Sequence, residues 1–531
     1  MRGQPQGTPR RGRGLVAAVL LAAVVAAAAL LPYLPAGPDL YVHVLWTWQV
    51  MRCVAAGDLP VWLPDLNAGF GSPGIRLYSP LGPVLEGVLG LALGGAGAAL
   101  RVAPVLAWAA FLLVVLRRRG TRAGAIEWTF LLVAPLTLHS LLGRGAWSEY
   151  LAVPLLWWLL DAAVEGDLRG GRDGALLAVL WLLHAPTTLM AVCLMGAAAA
   201  ARRDLRLVGR LAAACVLAAA LTAWHWLPLA AEMRLVDRAA LTGGIFATTR
   251  NALGSPVAHA LDENIWLGWC AVALLVAALA GRWWRTDPRR TALLAACVAL
   301  ASPLAAWLYR LPLPLDMLQF PWRWLLPAAV VAAAVAARAA VDTRGRLALV
   351  VAVLPLVAFA WPAVVDDPGL TARTEWREAG ERVSRAFDGN PLVVDAAQNR
   401  PASWGQLGAN LKRFGPRAPA VGPDGARWQV ERWEPLERRL VVECESPARV
   451  ALRVLDYPFW EVTVDGAPAS ARSAGTLAAS VPAGRHVVRA RWAGNPLAAV
   501  GRAAAAVALG LVALVALRAR RRRQGGDGAG R

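Results

Sequence analysis

Long apolar runs separated by short arginine-bearing breaks fill most of the 531-residue chain. A helix needs roughly 20 apolar residues to cross about 30 Å of hydrocarbon. Runs at 15–35, 100–116, 123–142, 149–162, 174–185, 186–201, 207–229, 264–281, 291–308, 322–340, 345–362 and 497–518 give about 12 candidate spans on that measure. The first run exceeds the core of a signal peptide and many spans follow it, so it reads as a membrane helix. The pair 174–185 and 186–201 is one apolar run broken at His184-Ala185-Pro186, where the proline disfavours helix in the residue before it.

Two segments are long and lie between spans: 36–99 and 363–496. Residues 80–97 are apolar but glycine-rich, and read as an interfacial or partly buried helix. In 363–496 the period changes. Arg439-Leu440-Val441-Val442-Glu443, Ala451 to Val464 and His486-Val487-Val488-Arg489 alternate apolar with polar, with turn residues at Asp465-Gly466 and Pro482-Ala483-Gly484. That pattern predicts antiparallel strands, and a small β-sandwich is the natural way to bury one face of each. The expected fold is a polytopic α-helical membrane protein with three parts. Residues 1–362 form a transmembrane domain with the outer loop 36–99. Residues 363–496 form an extracytoplasmic β-sandwich, and 497–531 hold a last span and a basic tail.

Composition agrees with a bilayer as solvent: 57% of residues are hydrophobic and 17% charged, against about 25% charged in soluble domains. The net charge of +20 would suggest nucleic acid if it were spread over a soluble surface. It is not so spread. The short segments assigned to the cytoplasmic side hold 26 arginines against 7 acidic residues, whereas 363–496 holds 18 basic and 16 acidic residues. The excess follows the positive-inside rule and places both termini in the cytoplasm, next to anionic lipid headgroups. No nucleic-acid partner is expected. The six cysteines show no paired spacing, so neither a disulfide framework nor a zinc site is expected. Several of the 25 tryptophans fall near span ends, as interfacial anchors do, while Trp460 and Trp492 read as sandwich core.

Ionisable residues in or beside spans are costly and therefore candidates for function. Under the alternating topology the following fall on the outer face: Asp39 after the first span, with His43 four residues on; Arg144 and Glu149; His184 at the broken run; and Gln319 and Arg323 opening the tenth span. A carboxylate such as Asp39 can take a proton from an acceptor hydroxyl; it can also simply cap a helix. A guanidinium such as Arg323 matches phosphate oxygens, or snorkels at a helix end. Arg144 and Glu149 can organise the site as an ion pair. His184 and His43 can contact phosphate, hydroxyl or metal, or satisfy a polar need between helices.

The motifs that carry these residues resemble, in this order, the bacterial YfhO-like and 6-pyruvoyl-tetrahydropterin-synthase-related integral membrane proteins; the latter name implies no pterin chemistry. They are Asp39, GDLPVWLPDLNAGFGSP at 57–73, RGAWSEYLA at 144–152, HAPTTL at 184–189 and QFPWRWL at 319–325. DYPFWEVTVDG at 456–466 and VPAGRHVVRARW at 481–492 resemble the outer β-domain of the YfhO-like proteins. Such proteins are similar to GT-C glycosyltransferases, which use a polyprenyl-phosphate-linked sugar at the outer membrane face. The resemblance implies Asp39 as catalytic base. It implies Arg323, Arg144, Glu149, His184, His43 and Gln319 as substrate-binding residues. A lipid-linked sugar would be the donor and an envelope glycan, lipid or protein the acceptor, with membrane lipid around the spans. A divalent metal is left open, because the second acid of the first-loop pattern is not matched; Asp58 is the nearest.

The expected activity is transfer of a sugar from a polyprenyl-phosphate carrier to an extracytoplasmic acceptor at the bacterial plasma membrane. The alternatives are a non-catalytic envelope protein that binds or scaffolds a lipid-linked glycan, and a lipid or glycan transporter. Walker, Rossmann and nucleophile-elbow signatures are absent from the sequence.

Overall fold

The computed structural model describes residues 38–134, 247–248, 251–253, 262–311, 318–339 and 418–526 with single gaps, and 137–236, 315 and 409–415 in part, plus two short strands near 395 and 400. The expected spans at 15–35 and 345–362, and most of 363–408, lie outside the described residues.

The described chain is mostly helical with a C-terminal β region. The helices that matter for the site are α1 (Pro38–Ala55), α2 (Leu81–Leu93), α3 (Ala96–Arg119), α4 (Thr121–Val133), α5 (Trp147–Glu165), α6 (Gly170–Leu183), α7 (Ala185–Arg202), α8 (Leu205–Leu221), α9 (Ala223–Glu232), α10 (Asp262–Ala280), α11 (Pro288–Ala301), α12 (Leu325–Ala339) and α13 (Pro496–Gly526). Their ends follow local chemistry. α1 opens on Pro38 and Asp39, a rigid first residue and an anion at the positive end of the helix dipole. α2 and α5 stop at Gly94 and Gly166, both left-handed at φ near 80°. Asp204 and Asp287 cap α8 and α11 through their side-chain oxygens.

Among the described residues four helices are long and apolar enough to cross a membrane: Ala96–Arg119, Ala185–Arg202, Pro321–Ala339 and Pro496–Arg518. Two bent pairs, Leu205–Leu221 with Ala223–Leu235 and Pro288–Ala301 with Pro303–Arg310, raise the number to six if each is one span. They turn by 76° and 80°. The runs at 15–35 and 345–362 lie outside the described residues and so outside this number. α4 and α6 have 13 and 14 residues, and α5 carries Glu149, Asp161 and Glu165 within its length. The 36–99 segment is not a plain loop, since it contains α1 and α2. α2 turns Leu85, Val88, Leu91 and Leu93 outward and buries Glu86. Its glycines allow this fit: a Cβ on Gly87 would stand 2.4 Å from Val50 of α1, and one on Gly82 would stand 2.4 Å from the Ser148 hydroxyl of α5.

α5 and α12 form the centre of the helical core, with tryptophans 108, 128, 157, 283, 322 and 324 packed among them. α12 is apolar on every side and almost wholly buried, the pattern of a central helix. α13 is largely uncovered except along α9 and α8. Gly501 permits the closest approach there, since a Cβ would meet the Ala223 carbonyl at 2.3 Å.

Among the described residues the β region holds nine strands: β1 (Ala420–Val421), β2 (Arg427–Glu434), β3 (Glu437–Cys444), β4 (Ala448–Leu455), β5 (Trp460–Val464), β6 (Ala467–Pro468), β7 (Ser470–Ser473), β8 (Thr476–Val481) and β9 (Gly484–Trp492). A separate two-residue pair joins Val394–Asp395 to Arg400–Pro401. One sheet runs β1-β4-β8-β7 and the other β2-β3-β9-β5-β6, every pairing antiparallel. Leu440 and Val442 of one sheet share a buried core with Val450, Leu452 and Ala478 of the other. The predicted run Ala451 to Val464 is two strands, parted by the turn at Asp456–Phe459. Asp465 and Gly466 both take positive φ in a two-residue turn, the conformation such a hairpin needs. Trp460 is buried in this core and Trp492 packs against it.

At the Glu165 end of α5 the arginine clusters converge on acids. Asp161 receives Arg118 at 2.7 Å, Arg290 at 2.6 Å and Arg119. Glu165 receives Arg290 at 2.8 Å and Arg338 at 2.5 Å, and Asp287 receives Arg290 at 2.6 Å and Arg338. Glu127 accepts from Arg119 at 3.1 Å and from the Trp157 indole at 2.6 Å. Arg202 caps the Val164 carbonyl at 2.7 Å. These arginines come from four separate breaks in the apolar pattern.

Candidate functional site

At the opposite end of α5 the structure gathers the residues singled out above. Asp39 lies in the first turn of α1, and its backbone N–H donates to the Arg144 carbonyl at 2.9 Å. Its carboxylate accepts from Arg144 Nη2. With 39% of its side chain exposed, it is the accessible acid of the group. Arg144 Nη1 reaches back to Glu149 Oε2 at 3.2 Å. Burial alone would lower the Arg144 pKa; the carboxylates of Asp39 and Glu149 outweigh burial and raise it. Arg144 is thus a fixed cation bridging an exposed acid and a buried one.

Glu149 is the hub. Arg323 Nε stands 3.4 Å and His184 Nε2 3.7 Å from its Oε2, and the Ser140 hydroxyl donates to Oε1 at 2.9 Å. Arg323 is held from behind, donating through Nη1 to the Leu318 carbonyl at 2.8 Å. Both guanidiniums lie on aromatic faces: Arg144 over Trp322 at 4.9 Å and Arg323 over Phe320 at 4.9 Å, a favourable cation–π arrangement. Phe320 stacks on Trp322. Gln319, just before them, takes φ +60°, an uncommon conformation for a residue with a side chain.

His184 sits where the long run breaks between α6 and α7. It is the N-cap of α7: Thr187 N–H donates to Nδ1 at 3.3 Å, and the Thr187 hydroxyl lies 2.7 Å from the same atom. Because Nδ1 accepts, the neutral ring carries its proton on Nε2, toward Glu149. The Tyr78 ring faces His184 at 6.2 Å and Trp46 at 5.8 Å. Ser79 fastens this wall, donating to the Trp181 carbonyl at 3.0 Å and accepting from Ala185 N–H at 2.9 Å.

His43 lies one turn along α1 from Asp39 and faces Glu86 of α2, with Nδ1 3.6 Å from Oε2. Thr47 also donates to that oxygen at 3.1 Å. Sequence reasoning missed Glu86, which is fully buried within a helix read as interfacial. An acid in a glycine-rich apolar run was the available signal. Several buried atoms here have no hydrogen-bond partner: His43 Nδ1, Glu86 Oε1, Ser148 Oγ and Arg323 Nε. Asp58, the nearest second acid by sequence, belongs to the far end of α1 beyond Ala55, where its N–H donates to the Cys53 carbonyl.

Asp39, His43, Arg144, Glu149, His184 and Arg323 therefore share one end of the bundle. Gln319 leads into the Phe320–Trp322 face. Chemically, the cluster offers one accessible carboxylate and two guanidiniums held against a buried acid behind it. Among the described residues no three His, Cys, Asp or Glu side chains gather as a metal site. No family model, curated protein or solved structure matches this chain.

Proposed function

We propose that the protein is a membrane glycosyltransferase of GT-C type, moving a sugar from a polyprenyl-phosphate carrier onto an extracytoplasmic envelope acceptor. One observation carries the reading: the accessible Asp39 carboxylate is fixed against Arg144 at the mouth of a cluster whose other acids are buried. In this reading Asp39 takes the proton of the acceptor hydroxyl as its oxygen attacks the anomeric carbon. The bond from that carbon to the phosphate oxygen breaks, and the polyprenyl phosphate leaves with the electron pair. A positioned base of this kind contributes about 10²–10⁴-fold. Arg144 neutralises charge at the departing phosphate, and Glu149 with Arg323 keeps it in place.

The finer architecture belongs to the same proposal: about 12 spans by the hydropathy measure, both termini cytoplasmic and a β-sandwich outside. The gathering of Arg118, Arg119, Arg202, Arg290 and Arg338 at the end of α5 away from Asp39 supports it, because the positive-inside rule puts such clusters on the cytoplasmic face.

A second reading, a non-catalytic binder of lipid-linked glycan, is favoured by a different observation. Arg144 and Arg323 already face carboxylates, so an incoming phosphate must compete for them. A transfer assay of the purified protein with labelled polyprenyl-phosphate sugars separates the two. Transfer that is lost in Asp39→Asn supports the enzyme. Donor binding without turnover supports the binder, and full activity of Asp39→Asn removes Asp39 as base.

A further inference from the structure

Glu232 closes α9 and is buried to 1% exposure. A carboxylate in that position is costly unless its oxygens are satisfied, and both are. Arg76 forms a two-pronged pair with it, Nη1 to Oε1 at 2.6 Å and Nη2 to Oε2 at 2.5 Å. The Tyr457 hydroxyl donates to Oε2 at 2.6 Å and Asn495 Nδ2 to Oε1 at 2.7 Å. The donors come from three distant parts of the chain: the loop between α1 and α2, the turn between β4 and β5, and the lead into α13. Burial, and after it the charge of Glu232, raises the Tyr457 pKa, so the phenol stays a neutral donor. Around this node Arg76 lies over the Trp492 ring at 5.1 Å and over Tyr457 and Phe459 at 5.7 Å. Trp62 is wedged among Tyr457, Trp460 and Trp492 at 5.4–5.9 Å. Two backbone contacts extend the seam: Leu455 N–H to the Phe70 carbonyl at 2.8 Å, and Arg453 Nε to the Ala68 carbonyl at 2.9 Å.

Two residues beyond Arg76 the same strap reaches the candidate site. The Tyr78 carbonyl accepts from His225 Nε2 at 2.7 Å, and His225 Nδ1 accepts from the Trp181 indole at 3.1 Å. Glu232 and His225 lie on one helix, two turns apart, and grip the strap at Arg76 and at Tyr78. Ser79 then joins it to Trp181 and Ala185, beside His184. A short strap held at both ends by one helix transmits displacement, because packed cores shift between discrete arrangements and do not deform smoothly.

We propose that Glu232 is a positioning residue: through Arg76, Tyr78 and Ser79 it sets the His184 wall of the site according to where the β region sits. The inference holds whatever reaction the site performs.

Hydrogen exchange of the full-length protein in detergent or nanodiscs tests it without any substrate. Glu232→Gln keeps the shape but removes the charge that holds Arg76. The expected result is exchange faster by about tenfold or more at the amides of 74–79 and of Ala185, Thr187 and Thr188, with 155–165 unchanged, as local opening requires. Tyr457→Phe, which deletes one donor, should move the same amides less. Faster exchange confined to the β region, with Ala185, Thr187 and Thr188 unmoved, overturns the proposal. If Glu232→Gln loosens the whole molecule, Tyr457→Phe decides by the same criterion. Because the readout needs no sugar donor, a failed transfer assay would not mimic a failure here.

Discussion

Glu149 and Asp161 lie on the same helix, about 18 Å apart at 1.5 Å of rise per residue, and both are buried against arginines. At the Asp161 end each acid is shared by several partners: three arginines for Asp161, two each for Glu165 and Asp287. None of the side-chain atoms of these acids or arginines is left without a hydrogen bond among the buried atoms described. At the Glu149 end the arrangement is thinner. Glu86 has a histidine and a threonine for company, several buried polar atoms lack a hydrogen bond, and Asp39 stands part-exposed on Arg144. A saturated network holds helices together. An incompletely satisfied one with an open carboxylate holds potential for a ligand, and perturbed or underused polar groups mark such places.

The comparison breaks most sharply at Asp161. Removing one member of a buried ion network leaves charges uncompensated and costs about 3–5 kcal/mol. Asp161→Ala should therefore lower the thermal unfolding midpoint of the solubilised protein strongly, and a midpoint equal to wild type would show that the network holds nothing. Gly87→Val should cost about 1–3 kcal/mol by overpacking, because its Cβ meets Val50. It would part α1 from α2 and so His43 from Glu86; unchanged stability would contradict the close approach. Asp39→Asn, by contrast, should change stability by no more than about 1 kcal/mol, as a part-exposed pair does.

The smallest effect concerns the exposed hairpin pair. The hydrogen bond to Asp465 raises the His486 pKa, and that from His486 lowers the Asp465 pKa. A raised histidine contributes stability that is complete below its unfolded value and lost as pH rises through the folded one. A lowered aspartate contributes stability that is lost on acidification. The pair therefore contributes fully between about pH 4 and about pH 6.5, the unfolded values. The stability difference between wild type and His486→Ala should shrink as pH rises above that window. A difference that grows with pH would reverse the sign.

Much of the arrangement around Glu149 was legible in sequence, because charges placed in apolar runs are conspicuous. Asp39, Arg144, Glu149, His184 and Arg323 stand out one by one, and the break at His184 follows from Pro186. Their grouping needed only the alternation of spans. The hairpin at Asp465-Gly466 was equally plain. The Asp161 network was not. Its arginines read as headgroup-facing charge, since no spacing links Arg290 to an acid 129 residues away. Glu86 was hidden in a short glycine-rich helix. Glu232 was not singled out at all, because its partners Arg76, Tyr457 and Asn495 are separated from it by 156, 225 and 263 positions. Long-range polar nodes carry no local period, which is the only signal that hydropathy reading uses.

We expect the Glu149 end to carry the chemistry and the Asp161 end to carry the stability. Asp39→Asn measured for both stability and transfer, on one preparation with a labelled polyprenyl-phosphate sugar, tests it most directly. The account predicts an unfolding midpoint close to wild type and transfer reduced by about 10²–10⁴-fold. Full transfer with the midpoint unchanged would contradict it.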